Sequence, residues 1–431
     1  MCRGVLTPLK GVREMKFLIE GKRRLCGQID VQGSKNSVLP ILAATLLIKG
    51  KSVIHNCPRI SDVDAAVNIL SDFGCVIERS LNTVTVDASS VSNCHVSEFL
   101  MHRMRSSILF LGPVLSRFKK AEFSSPGGCE IGLRPIDLHL SSLKLLGAEV
   151  CEKSGTVFCS AENGLKANRI HLSFPSVGAT ENILLASVLA KGTTVLSNAA
   201  REPEITDLAN FLNKAGARII GAGESTVIIV GAQKLHSVEH TVIPDRIVAS
   251  TYMFCAAVTG GEIEINKCVP THLEAVFPVL EEAGCVIKRK NDSVFLKAPE
   301  RLSRIKTVRT MPYPGFPTDL QSPVTALLSV ADGTSVVTEN IFENRYKYIS
   351  ELNRLGANIR VEGRTAIIDG VDSLAGANVR ATDLRGGFAL VIAALSAQGK
   401  TQISNIFHID RGYEKPEKVL SSLGANIKRI T

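Results

Sequence analysis

The segment SSPGGCEIGLRPIDLH, from Ser124 to His139, is where this sequence concentrates groups able to do chemistry. Between Pro126 and Pro135 it holds three glycines, two prolines, one cysteine and one arginine, the composition of a mobile surface loop rather than a helix or strand. Cys129 stands at its tip, where burial is not expected, and Arg134 offers a cation beside a thiolate or an anionic ligand. A reactive thiol on a flexible lid points to nucleophilic or acid chemistry that becomes competent on closure. The other ten cysteines read as small buried hydrophobes. Eleven in all, an odd count without CxxC pairs, suit neither a disulfide framework nor a zinc site, and nine histidines show no HExxH. A reduced protein without metal or cofactor is expected.

The elements that must position this loop are repetitive. A phrase of the form apolar, Gly, Cys or Ala, any residue, Ile or Val recurs six times: LSDFGCVIER, LKLLGAEVCE, LNKAGARIIG, LEEAGCVIKR, LNRLGANIRV and LSSLGANIKR. Its glycines are Gly74, Gly147, Gly216, Gly284, Gly356 and Gly424, a step of 68 to 73 residues each time. A glycine between an apolar helical stretch and a β-branched run is a helix C-cap feeding a strand, because glycine takes the left-handed conformation cheaply. In the first unit IDVQG reads as a strand, Asn36 to Leu47 as an apolar helix, KSVIHN as a strand, Ser61 to Phe73 as a second helix, and CVIER with TVTVD as a hairpin. The second helix is amphipathic through Val63, Val67, Leu70 and Phe73, with Ser61 and Asp64 as a capping box. The unit is βαβαββ. Its first helix, SVLPILAATLLI, is apolar nearly all round and belongs inside.

Corresponding inner helices follow in MRSSILFLGPVL, SVGATENILLASVLAKG, DRIVASTYMFCAAVTGG, PTDLQSPVTALLSVADG and TDLRGGFALVIAALSAQG. Aligned within each half of the molecule, their amino ends would present free N–H groups and about half a positive charge each, so a polyanionic ligand is expected. A length of 431 residues allows two to three domains, and six units divide most simply as three plus three. The net charge of +9 is scattered, and five Tyr with no Trp leave little to stack on bases, so a small acidic substrate fits better than nucleic acid. No apolar run reaches the length of a membrane span. MCRGVLTPLKGVRE lacks the apolar stretch of a secretory signal, so a cytoplasmic location is expected.

PGGCEIGLRPIDLH, with GSKNSVLPIL, PSVGAT, NAAREPEI, PDRI, FPTDLQ, FENRY, ATDLR and HIDRGYE, resembles the UDP-N-acetylglucosamine enolpyruvyl transferase (1-carboxyvinyltransferase) family from about Gly21 to the carboxy terminus. The resemblance implies an α/β (α+β) fold, a two-lobed inside-out α/β barrel of six βαβαββ repeats with the active site between the lobes. One lobe would comprise residues 1–35 plus 244–431, the other 36–243 with the Cys129 loop. It also implies transfer of the enolpyruvyl group of phosphoenolpyruvate to the 3′-hydroxyl of UDP-N-acetylglucosamine, releasing phosphate, the first committed step toward peptidoglycan. No nucleic acid partner or membrane insertion is implied, and no oligomer is required.

Residue roles carried by the resemblance are these. Cys129 is the acid that protonates the vinyl carbon and can form a covalent adduct, and Asp319 is the base for the 3′-hydroxyl, although T-D-L-Q before an apolar helix also reads as an N-cap. Lys35, Arg134 and Arg411 would hold the phosphate side, Arg345 and Arg385 the carboxylate, with Arg105 as a further cation. Asn36 and Ile341 fall to the sugar, and Asp137 with the backbone of Arg134, Pro135, Ile136 and Leu138 to the uridine. Ser176, Val177 and Gly178 start an inner helix whose N–H groups can meet phosphate oxygens. Asp383 would orient Arg385, and Asp245 with Arg246 would tie the lobe crossover. Phe174 stands where some relatives have lysine, and Leu109 where an aromatic is common. The rival readings are a 3-phosphoshikimate 1-carboxyvinyltransferase, against which the thiol in PGGCEIGLRP stands, and a non-catalytic protein of the same fold that binds nucleotide sugars or RNA.

Overall fold

The computed structural model describes residues 15–94, 105–124 and 136–431. Cys129, Arg134 and Pro135 lie outside these residues, and of Arg105 only the backbone lies within them.

The six repeat phrases end six helices in one way. After helix α2 (Ser61–Asp72) the Gly74 N–H donates to Ser71 O (2.9 Å) and the Cys75 N–H to Leu70 O (3.0 Å), and equivalent bonds close the helices before Gly147, Gly216, Gly284, Gly356 and Gly424. This is the Schellman arrangement, which satisfies carbonyls the helix end leaves orphaned. All six glycines have φ between +90° and +101°. At Gly356 an added Cβ would meet nothing within 4 Å, so Gly356→Ala isolates the backbone cost. It should lower unfolding stability by about 1–2 kcal/mol with an unchanged denaturant slope in urea titration; an unshifted midpoint would refute the C-cap account.

Six sheets are arranged around the helices, five of four strands and one of three among the described residues. The first unit departs from its expected order. Strand β2 (Cys26–Asp30) lies earlier than expected, sharing only Ile29 and Asp30 with IDVQG, and it does not pair with β3 (Lys51–His55) but lies parallel to Glu262–Asn266; Val238–Thr241 takes the place beside β3. Strand β1 (Lys16–Glu20), not anticipated from KFLIE, runs antiparallel between Lys400–Ser404 and Asn426–Ile430 and completes the sixth unit's sheet. Periodicity marks a strand but not its partner, because any edge with matching hydrogen-bond groups can accept it.

Two hydrophobic cores result. One gathers Phe17 to Val31 with Ile247 to Ile427, and the other Val38 to Val242. The chain passes between them twice, side by side: Gly33 bridges Pro244, Ser34 N–H donates to Ile243 O (2.8 Å) and Asp245 N–H to Gln32 O (2.9 Å). Only glycine fits at position 33, since a Cβ would lie 1.7 Å from Asn56 O. The inner helices are buried as expected, α1 (Lys35–Ala44) continuing into a 3-10 turn at Thr45–Leu47, and Leu384–Ser396 buried from Arg385 onward. The second inner helix begins as a 3-10 turn, Arg105–Phe110, before Leu111–Phe118. Val63, Val67, Leu70 and Phe73 are buried, but the capping box is not formed: Ile60 is the N-cap with no side-chain bond, and Asp64 pairs with Arg79 instead. The end of the glycine-rich segment is not loop either, since Asp137–Leu145 is a helix.

Candidate active site

Two carboxylates organise the cations. Asp62, in the first turn of α2 and 3 % exposed, accepts from Lys35 Nζ (2.7 Å) and from Arg411 Nε (2.9 Å) and Nη2 (3.3 Å). Lys35 begins α1 at the chain crossover, and Arg411 ends the 3-10 turn Ile406–Arg411 of the other core. The triad therefore joins elements of both cores. Burial pushes the Lys35 ammonium down from its ordinary value, assisted by Arg411 and Arg385, while Asp62 opposes the shift. For Asp62 burial works upward, but Lys35 and Arg411 more than offset it and the carboxyl is held below its usual range.

Asp319 is the second centre. Its Oδ1 accepts from Arg345 Nη2 (2.7 Å) and its Oδ2 from Arg385 Nη2 (3.0 Å), with the two guanidinium groups buried and the carboxylate about one quarter exposed at 26 %. The alternative of an N-cap is not realised: Pro317 and Leu320 are the caps of the successive turn and helix, and neither makes a side-chain cap bond. Arg345 Nη1 also donates to Thr318 Oγ1 (2.7 Å), whose hydroxyl donates to Glu339 Oε2 (2.8 Å). Glu339 is fully buried, and its other oxygen accepts from the Ile341 (2.8 Å) and Phe342 (3.1 Å) N–H groups. Ile341 is thereby coupled to the arginine that grips Asp319. Arg385 Nη1 donates to Tyr413 OH (3.1 Å), whose oxygen meets Thr251 Oγ1 (3.0 Å).

The crossover is tied as expected. Asp245 caps Arg246–Val258 by accepting from Ile247 and Val248 N–H, and its other oxygen accepts from Lys35 N–H (3.0 Å). Arg246 Nε reaches Glu204 (3.1 Å), which belongs to the other core's Pro203–Lys214 helix. Asp383 acts differently from its expected role. It accepts from the backbone N–H of Arg385 (3.0 Å) and Gly386 (2.9 Å) and so sets the helix start, while the Arg385 guanidinium is aimed by Tyr413 and Asp319.

A second group of expected residues meets elsewhere. Ser176 caps Val177–Ser187 through Ala179 N–H, and Gly178 packs against His139, so that Ile136, Asp137 and Leu138 are gathered beside Ser176, Val177 and Gly178. Asn36 and Ile341 are each partly exposed. Phe174 is largely exposed at 41 %, whereas Leu109 lies in the core.

Sequence reasoning missed Asp62, Tyr413, Glu339 and Thr318. Tyr413 lies two residues after Arg411 inside HIDRGYE, and Thr318 and Glu339 flank recognised positions, so each had a local signal. Asp62 had none, being 349 residues from its arginine partner.

Comparison with known proteins gives the family. The model of the EPSP synthase (3-phosphoshikimate 1-carboxyvinyltransferase) family matches residues 19–420. UDP-N-acetylglucosamine 1-carboxyvinyltransferase 2 of Caldanaerobacter subterraneus subsp. tengcongensis is 54 % identical over 415 residues, covering 96 % of this chain and 99 % of the relative. UDP-N-acetylglucosamine 1-carboxyvinyltransferase 1 of Symbiobacterium thermophilum is 50 % identical over 96 % of this chain and 95 % of its own length. Among solved structures, the enolpyruvyl transferase NikO from Streptomyces tendae superposes with a TM-score of 0.88 at 27 % identity, covering 97 % and 99 % of the two chains. An EPSP synthase from Acinetobacter baumannii shares the fold with a TM-score of 0.73 at 18 % identity, covering 97 % of this chain and 100 % of its own. The two-lobed fold and the extent of these matches place the chain in the EPSP synthase family, among the UDP-N-acetylglucosamine 1-carboxyvinyltransferases.

Proposed function

We propose that this protein transfers the enolpyruvyl group of phosphoenolpyruvate to the 3′-hydroxyl of UDP-N-acetylglucosamine and releases phosphate, in the cytoplasm, as the first committed step of peptidoglycan precursor synthesis for cell-wall growth and division. The observation that carries the reading is the pairing of four cations by two carboxylates: Lys35 and Arg411 on Asp62, Arg345 and Arg385 on Asp319. Phosphoenolpyruvate carries a phosphate and a carboxylate, and two separate cationic pairs answer those two groups. Residues 1–35 with 244–431 form one lobe in this reading and 36–243 the other, closing over the substrates with no metal, cofactor or oligomer required. The nine described cysteines are free thiols, which suits a reducing compartment.

The reaction proceeds by proton addition to C3 of phosphoenolpyruvate, with Cys129 as donor. C2 becomes electrophilic, the 3′-oxygen bonds to it and gives its proton to Asp319, and the C2–O bond to phosphate then breaks as a C3 proton departs, restoring the vinyl group. Asn36 and Ile341 hold the sugar; Arg134, Pro135, Ile136, Asp137 and Leu138 hold the uridine; Ser176, Val177 and Gly178 meet the diphosphate, and Arg105 adds a cation. When Cys129 instead adds to C2, a thioether forms. Intact-mass measurement after incubation with phosphoenolpyruvate should show one added molecule mapping to Cys129, and an adduct on another residue would contradict the assignment. The family model's own description makes 3-phosphoshikimate the second acceptor to consider. Phosphate release with UDP-N-acetylglucosamine and not with 3-phosphoshikimate is the expected result, and the reverse would overturn this reading.

A further inference from the structure

We infer that Glu414 is a positioning residue for the phosphoenolpyruvate site: its carboxylate, carried by one core, seats on the start of α2 in the other and sets the approach at which Arg411 meets Asp62. This rests on the enolpyruvyl-transfer reading above and adds the group that holds the two halves of that site in register.

Within HIDRGYE, Arg411 and Tyr413 already have partners at the site, and Glu414 supplies a further contact. Its Oε2 accepts from the Arg59 N–H (2.9 Å), a bond between residues 355 apart in sequence. Arg59 immediately precedes Ile60, the N-cap of α2, which makes no side-chain cap bond. A helix start left uncapped by its own segment offers donors and partial positive charge, and a carboxylate answers both. The Arg59 guanidinium is engaged elsewhere, its Nε donating to Leu81 O (3.2 Å), so the contact with Glu414 is made by the main chain.

Glu414 is itself fixed at the crossover. The Gln32 side chain donates from Nε2 to Gly412 O (3.1 Å) and accepts at Oε1 from the Glu414 N–H (2.8 Å), while the Gln32 carbonyl accepts from the Asp245 N–H (2.9 Å). The segment 411–414 is thereby tied to the paired crossing strands. From it two side chains reach the start of α2, Glu414 at residue 59 and Arg411 at Asp62. Arg411 is 34 % exposed and its pairing is weakened by water, so a second contact close by fixes what the ion pair alone holds loosely. Without Glu414 the arrangement that grips phosphate is less populated; apparent affinity falls by that fraction, and saturating substrate restores it. KM is therefore the quantity that moves.

The test compares Ala and Gln at position 414, since Gln keeps an acceptor for the Arg59 N–H. Glu414→Ala should raise KM for phosphoenolpyruvate about tenfold with kcat within about threefold of wild type, and Glu414→Gln should stay within about threefold in both. Arg59→Ala should match wild type, because the donor is main chain. Hydrogen exchange gives a readout independent of turnover: the Arg59 amide should exchange faster in Glu414→Ala than in wild type or Glu414→Gln. Thermal melts check that all variants fold. An unchanged KM in Glu414→Ala, even with a lowered melting temperature, would reduce Glu414 to a helix cap and overturn the inference. Glu414→Gln as impaired as Glu414→Ala, or Arg59→Ala reproducing that loss, would overturn it as well. Wild-type protein that releases no phosphate from phosphoenolpyruvate and UDP-N-acetylglucosamine would instead overturn the functional reading, while the exchange comparison would still report on the Glu414 contact.

Discussion

Replacing Asp319 by Asn should lower kcat about 10²–10⁴-fold while phosphoenolpyruvate binds at least as tightly as before. The carboxylate accepts from Arg345 on one oxygen and from Arg385 on the other. With 26 % of its side chain exposed, it can take the proton of a bound hydroxyl without leaving its partners. The amide cannot accept that proton. It also removes one negative charge from between two buried guanidinium groups, which strengthens the local field for an anionic substrate. The split is therefore diagnostic: chemistry fails and substrate affinity is retained. Rapid-quench kinetics with a fluorescence titration of phosphoenolpyruvate would read both quantities. A kcat within about tenfold of wild type would remove Asp319 from the role of base.

Replacing Asp62 by Asn should produce the opposite pattern, a loss of about 100-fold in kcat/KM for phosphoenolpyruvate that grows with pH. Lys35 is buried, and desolvation already pushes its pKa down; Asp62 is the neighbour that opposes this. Without the carboxylate the folded pKa of Lys35 falls further. The sign is then fixed: below that pKa the ammonium is present and grips phosphate, and as pH rises through it the charge and the affinity are lost. The variant's KM should climb as pH rises through this lowered Lys35 pKa, and the climb should begin at lower pH than in the wild type. An ammonium has three donors and Asp62 uses one, so in the intact protein the carboxylate keeps Lys35 charged and aimed while leaving hydrogens for the substrate. Arg411, less buried at 34 %, loses the anchor that links it to the other core. A pH-independent KM equal to that of wild type would refute this positioning role. Removing one partner of a buried ion pair also costs stability, about 3–5 kcal/mol where both partners are fully buried, so thermal melts must accompany the kinetics.

The two results together separate the centres. In the proposed reaction Asp319 acts on the reacting hydroxyl, whereas Asp62 acts through Lys35 and Arg411. Neither effect requires the other, because the two carboxylates have different primary partners.

What was legible from the chain alone was whatever is encoded within a few residues. Six glycines at left-handed φ announced six helix ends, because no other residue adopts that conformation without strain. The all-round apolar character of SVLPILAATLLI announced burial of α1. Motifs named the cations and Asp319 as candidates, but a motif specifies a residue and not its company. That Asp62 lies between Lys35 and Arg411, that β2 pairs across to Glu262–Asn266 and that β1 completes the last sheet were decided by the tertiary structure. The same holds for His139, whose Nδ1 meets Asn182, 43 residues away. Hydrogen bonds and ion pairs act over a few ångströms, so a partner hundreds of residues distant leaves no trace in local composition; only the folded chain brings the two groups within range.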